Sequence, residues 1–160
     1  HANVSAANIH ECKGANAASV DTVRISDGAG SGSWAKVPPA SITGLNNKNL
    51  IMLTASISDI STPASHWVVT PTAGIITKIY TVIDNAITVA NAVLSFEIAG
   101  VAVTNGGITI AYSGSAAGDV DSSTPSGART LTAGQALEII TDGGSTDACR
   151  ALVTILIDVS

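Results

Sequence analysis

From Leu50 to Val159 the apolar residues come in short runs, bounded by Gly, Pro, Asn or Asp. No other sequence feature constrains the fold as tightly. Short runs rich in Val, Ile and Thr suit strands, and almost no helical periodicity occurs along them. The runs are Leu50 to Ser58, His66 to Thr70 (between Pro63 and Pro71), Ile75 to Ile83, Val93 to Ile98, Val101 to Thr104, Ile108 to Tyr112, Leu137 to Thr141 and Cys149 to Val159. Seven to nine strands are expected after residue 45.

Alternation within the runs sets their faces. Leu94, Phe96 and Ile98 point one way, and Val93, Ser95 and Glu97 the other. In the last run Ala151, Val153, Ile155, Ile157 and Val159 make one face, and Leu152, Thr154, Leu156 and Asp158 make the other. Leu50 to Ser58 and Leu152 to Ile157 are apolar on both faces, where an antiparallel strand open to water keeps one face polar. Such strands lie between two layers or at a subunit contact. Asn105-Gly106 suits a tight hairpin turn, since both residues tolerate positive φ. Residues 113–134 are polar and carry no full strand in this reading. The expected fold is all-β: an antiparallel β-sandwich, jelly-roll-like, with an extended N-terminal arm.

The arm covers residues 1–45 and the body residues 46–160. In the arm, Val20, Val23 and Ile25 suit one short strand. A glycine-rich turn runs from Asp27 to Ser33, Trp34 follows, and Pro38-Pro39 blocks helix and ladder alike. An arm has little core of its own, so Trp34 needs a pocket elsewhere and suits an interface anchor.

Charge narrows the function. Only 12% of the 160 residues are charged, about half the usual share, while 46% are hydrophobic. A surface poor in ions desolvates cheaply, which favours a chain held against other protein. The net charge is −5, and no Lys or Arg occurs between Lys78 and Arg129, so the clustered cations that bind nucleic acid are missing. No apolar run approaches the roughly 18 residues of a membrane span, and no basic segment leads into an apolar one as in a secretory signal. Cys12 and Cys149 share no metal or redox spacing and read as free thiols of a reducing cytosol, with a bridge as the alternative.

Catalytic and metal motifs are sparse. His10 and Cys12 would share a strand face, but further ligands are lacking nearby. Asp119-Val120-Asp121 resembles half a calcium loop without its distal ligands, and reads as a polar turn. No nucleophile elbow, P-loop or dinucleotide fingerprint occurs. The aromatic stock is Trp34, Trp67, Tyr80, Phe96 and Tyr112, thin for a sugar-cleaving site. No enzyme and no cofactor are expected.

Two stretches resemble a known family. Ile9-His10-Glu11-Cys12-Lys13-Gly14-Ala15, with Asp27-Gly28-Ala29-Gly30-Ser31-Gly32-Ser33-Trp34, is similar to the N-terminal segment of tailed-bacteriophage head-fibre and capsid decoration (cement) proteins. Gly74 to Thr81, Gly114 to Asp121 and Thr141-Asp142-Gly143-Gly144-Ser145-Thr146 look like a β-domain of phage structural proteins. The resemblance implies a homotrimer on the capsid exterior, made in the bacterial host cytoplasm, contacting the major capsid protein and using no cofactor.

The expected contacts follow. Ile9, His10, Val20, Val23, Ile25, Trp34 and Val37 are candidates to meet the shell or a sister subunit. Leu50, Met52, Trp67, Phe96, Leu152 and Leu156 are candidates for the body's core or its subunit interface. Nucleic acid and membrane are not expected partners. The alternative is a head- or tail-fibre module that binds a host-surface receptor or glycan.

Overall fold

The computed structural model describes residues 23–26, 32–35 and 49–160. The chain divides into two units, residues 1–46 and residues 47–160. In the first, β1 (Val23–Ser26) and β2 (Gly32–Ala35) form an antiparallel hairpin that sets Arg24 opposite Trp34 and Ile25 opposite Ser33. Val23 and Ile25 thus share a strand, as their spacing implies. Ile9, His10, Cys12, Val20 and Val37 lie outside the described residues.

The second unit is built from β3 (Leu50–Ile57), β4 (Ala64–Val69), β5 (Gly74–Ile83), β6 (Ala92–Ile98), β7 (Val101–Ala102), β8 (Ile108–Ile110), β9 (Val120–Ser123), β10 (Thr130–Leu131), β11 (Ala136–Thr141) and β12 (Ala151–Asp158). No helix occurs among the described residues. The first sheet runs β10-β5-β12-β3, with β9 beside β10 on the same edge of β5. The second runs β4-β11-β6-β7, with β8 beside β7 on the same edge of β6. All pairings are antiparallel. The chain crosses between sheets at β3 to β4, β4 to β5, β5 to β6, β8 to β9, β10 to β11 and β11 to β12. That alternation and strand order define a jelly roll in which one outer strand of each sheet is broken into two pieces.

One core holds the sheets together. Leu53, Ile57, Ile76, Ile79, Ile83, Val153, Ile155 and Ile157 face Leu94, Phe96, Ile98, Ile108, Ile110, Leu137 and Ile139, all buried. Phe96, 1% exposed, is the core's aromatic ring, and burying it is worth roughly 1.5–3 kcal/mol. Ile76 and Ile79 are both fully buried although three residues apart. A bulge opposite the Leu156/Ile157 step allows this: Leu156 pairs with Lys78 and Ile157 with Ile76, so Thr77 is the extra residue. Thr77 Oγ1 donates to the Leu156 carbonyl at 3.2 Å.

Three local expectations are corrected. Residues 113–134 contain two strands, β9 and β10, which pair with β5 through backbone bonds that need no apolar pattern. Asn105-Gly106 does form a turn, with Asn105 at φ 55° and Gly106 N–H donating to the Val103 carbonyl at 3.0 Å. It is no hairpin, because β7 and β8 lie end to end along β6. The two-residue hairpin loop is Ala99-Gly100, both at positive φ. Third, the strands after residue 45 number ten among the described residues, since both outer strands are split.

Candidate interaction surface

In a two-layer sandwich the inward residues are fixed by the core, and the outward ones show what the surface is for. On the first sheet, register sets the outward residues in four rows across the strands. They are Ser56, Leu152, Val82 and Val120; Thr54, Thr154, Tyr80 and Ser122; Met52, Leu156 and Lys78; and Leu50, Asp158, Ile75 and Thr130. Met52 is 68% exposed, and Leu50, Ile75, Tyr80, Val120 and Leu152 are exposed too. Val82 and Leu156 are half-buried between them. The charged residues in these rows are Lys78 and Asp158. The Lys78 ammonium donates to Thr124 Oγ1 at 3.1 Å and sits 5.7 Å from the centre of the Tyr80 ring, a cation–π geometry that folds it onto the sheet. Tyr80, Val82, Val120, Leu152 and Thr154 line a shallow depression of about 220 Å³.

The second sheet's outer face differs. Trp67, Glu138, Glu97 and Ala102 form one row, Ser65, Ile140 and Ser95 another, and Val69 stands beside Ala136. Trp67 is 63% exposed and, with Glu97, Gln135 and Glu138, borders a depression of about 260 Å³. Glu138 and Glu97 are direct cross-strand neighbours, and like charges so placed repel.

The loops between β3 and β4, β5 and β6, β8 and β9, and β11 and β12 meet at one end, tied by Ile60 N–H to the Cys149 carbonyl at 2.9 Å and Gly118 N–H to the Ile83 carbonyl at 2.8 Å. Their carboxylates cap backbone. Asp59 accepts from Ser61 N–H at 2.9 Å and Ser61 Oγ at 2.7 Å, and these bonds lower its pKa. Asp147 accepts from the Thr88 amide and hydroxyl, which lowers its pKa too. Asp142 accepts from Val93 N–H and Gly144 N–H, each at 2.9 Å. Asp84 pairs with Arg150 at 3.1 Å in the open. Burial raises the pKa of the Cys149 thiol, which lies 3.2 Å from the Asn85 carbonyl as a free cysteine in the core's edge. Asp119 accepts from Ala116 N–H at 2.9 Å, which gives the half calcium motif a turn-capping role. Burial first, then the charge of Asp119, raises the pKa of Asp121. Among the described residues no three His, Cys, Asp or Glu side chains gather as metal ligands.

The body residues singled out from sequence therefore separate. Phe96 is core. Leu50, Met52, Leu152 and Leu156 share the first sheet's outer face, outside the buried core, and Trp67 lies on the opposite face. Sequence reasoning missed Ile75, Tyr80, Val82 and Val120. The bulge at Thr77 hides the alternation of β5, and Val120 stands in a stretch with no strand pattern. Among the described residues no helix is long and apolar enough to cross a membrane. No protein-family model and no curated protein matches the sequence. Fold and surface define an all-β jelly roll with one apolar outer sheet face.

Proposed function

We propose that this protein is a non-enzymatic structural component of a tailed-phage virion, which decorates or cements the outer capsid surface as an oligomer, a homotrimer by resemblance. The observation that carries this reading is the apolar outer face of the first sheet, where three neighbouring strands hold large aliphatic side chains out to solvent. An exposed patch of that kind marks a protein contact surface. Jelly rolls serve capsids among several other roles, a fold-level association that supports the reading without carrying it. Repetition of each contact around a symmetric oligomer sums modest contacts through avidity. Residues 1–45 would grip the major capsid protein. Deleting residues 1–35 is expected to leave a folded oligomer that no longer co-sediments with shells of the parent phage. Undiminished binding by the truncated protein would remove the arm from the proposal.

A second reading, a fibre module that binds a host-surface glycan, draws on Trp67. An exposed indole beside Glu97, Gln135 and Glu138 offers a sugar ring an apolar platform with polar groups at its rim. Competable hits on a glycan array that vanish when the indole is removed would favour it over decoration.

A further inference from the structure

We infer that the outer face of the first sheet is where a second copy of this chain docks, and that the shell is met elsewhere. This deepens the structural role proposed above and rests on it for its purpose, though not for its test.

Size comes first. Eight-residue strands rise about 3.3 Å per residue, and four strand positions lie about 4.8 Å apart, so the face spans about 26 by 19 Å, or about 500 Å² in projection. Side chains such as Met52 and Leu152 stand out from it and add accessible area. That approaches the roughly 800 Å² each partner gives to a standard interface, so this one surface can supply most of a stable contact.

Timing separates a second copy from the shell. A shell-binding face stays bare from folding until docking. With only 12% charged residues, free chains have few ions to hold them in solution while Leu50, Met52, Ile75, Val120 and Leu152 are uncovered. A second copy is present as soon as the chain is made and covers the face at once.

Shape and charge agree. The face is a sheet with the twist common to all β-sheets, so the same face of further copies matches its shape, whether two faces pack together or three gather about an axis. Its rows carry one cation, Lys78, and one anion, Asp158, at one end, and the paired Arg150 and Asp84 border Leu152 and Val82 at the other. A strongly basic or strongly acidic partner finds no matching field there, whereas an identical face offers both signs. The first two rows hold Thr54, Thr154, Ser56 and Ser122, whose hydroxyls cost far less to desolvate than ions do.

The test needs no capsid. The full chain is weighed in dilute solution by sedimentation equilibrium, as wild type and as Leu152→Glu, Met52→Gln and Trp67→Ser. The wild type is expected at a defined multiple of the chain mass. Leu152→Glu is expected to weaken association at least tenfold while keeping a cooperative thermal transition. Met52→Gln keeps side-chain length and strand position, so it reads the face even if the glutamate variant unfolds, and should weaken association by a smaller factor. Trp67→Ser, on the opposite sheet, should leave the mass unchanged. A monomeric wild type overturns the inference, and so does full association of folded Leu152→Glu, or of Met52→Gln if the former unfolds. Dissociation by Trp67→Ser alone also overturns it by moving the contact to the other sheet. Failure to bind capsids with association intact would instead strike the proposed function and leave the inference standing.

Discussion

The two sheets of the sandwich bury the same kind of residue and expose different kinds. Inward, β12 and β11 are alike: Val153, Ile155 and Ile157 on one, Leu137 and Ile139 on the other. Outward, β12 presents Leu152, Thr154 and Leu156, while β11 presents Ala136, Glu138 and Ile140. A jelly roll needs only the inward set, so the outward difference owes nothing to folding. It leaves the first sheet with an exposed apolar face, the one proposed to be covered, and the second with exposed Trp67 and Val69 beside two neighbouring carboxylates.

The contrast could be undone if the sheets were separate folding units, each with its own surface. The shared core argues against that, and Phe96→Ala is the strongest way to check. The ring is fully packed between the sheets, so truncation should cost about 3–5 kcal/mol through lost transfer energy and the cavity left behind. Amide exchange should then quicken in β12 and β11 alike, because both lean on the same side chain's neighbourhood. Quickening confined to the second sheet, where Phe96 resides, would mean the sheets open independently, and the two outer faces could not be compared as parts of one body.

Much of this body was legible in sequence. Strand positions could be read because Gly, Pro, Asn and Asp end nearly every run, and the alternation of β6 and β12 could be read because one full face of each is apolar. Illegible parts have physical reasons. The bulge at Thr77 shifts the phase of β5, so Tyr80 and Val82 cannot be assigned an outward side from spacing. Strands β9 and β10 are held by backbone pairing to β5 while their own side chains are mostly polar. The hairpin loop uses Ala99 at φ 52°, a residue that carries no turn signal, while the stronger local signal, Asn105-Gly106, serves a detour on which Thr104 bridges to Gly127. Doubly apolar strands pointed to the sheet whose outer face is apolar, but sequence could not say which of the two faces lay outward.

A smaller effect sharpens the comparison from the second face. Glu138 stands between Trp67 and Glu97, and no cation lies in their row. Glu138→Gln removes the repulsion and keeps the shape, so stability should rise by about 0.2–1 kcal/mol at low salt. Added salt should shrink the gain by screening the wild-type pair. Urea unfolding at two ionic strengths measures both. Stability unchanged at low salt would mean the carboxylates splay apart, and the second face would be less strained than its register implies.

The smallest effect concerns acid, and it separates both faces from the loop end. The four rows of the first sheet's outer face hold no histidine, the side chain that ordinarily titrates between pH 5 and 8, so association should hold across that window. Acid acts instead on Asp59 and Asp147, whose folded pKa values lie below the ordinary 3.8 because Ser61 and Thr88 donate to their carboxylates. A lowered folded pKa means the folded state binds the proton less readily than the unfolded chain. The stabilisation is therefore complete above the ordinary value and drains away as pH falls through 3.8 toward the lowered ones. Asp121 runs the other way: burial raises its pKa, so protonation favours the folded state and offsets part of the loss. Thermal unfolding from pH 5 to pH 2 should thus show a modest fall, shallower in Asp59→Asn and steeper in Asp121→Asn. Equal slopes in all three proteins would mean that these carboxylates do not set the acid response.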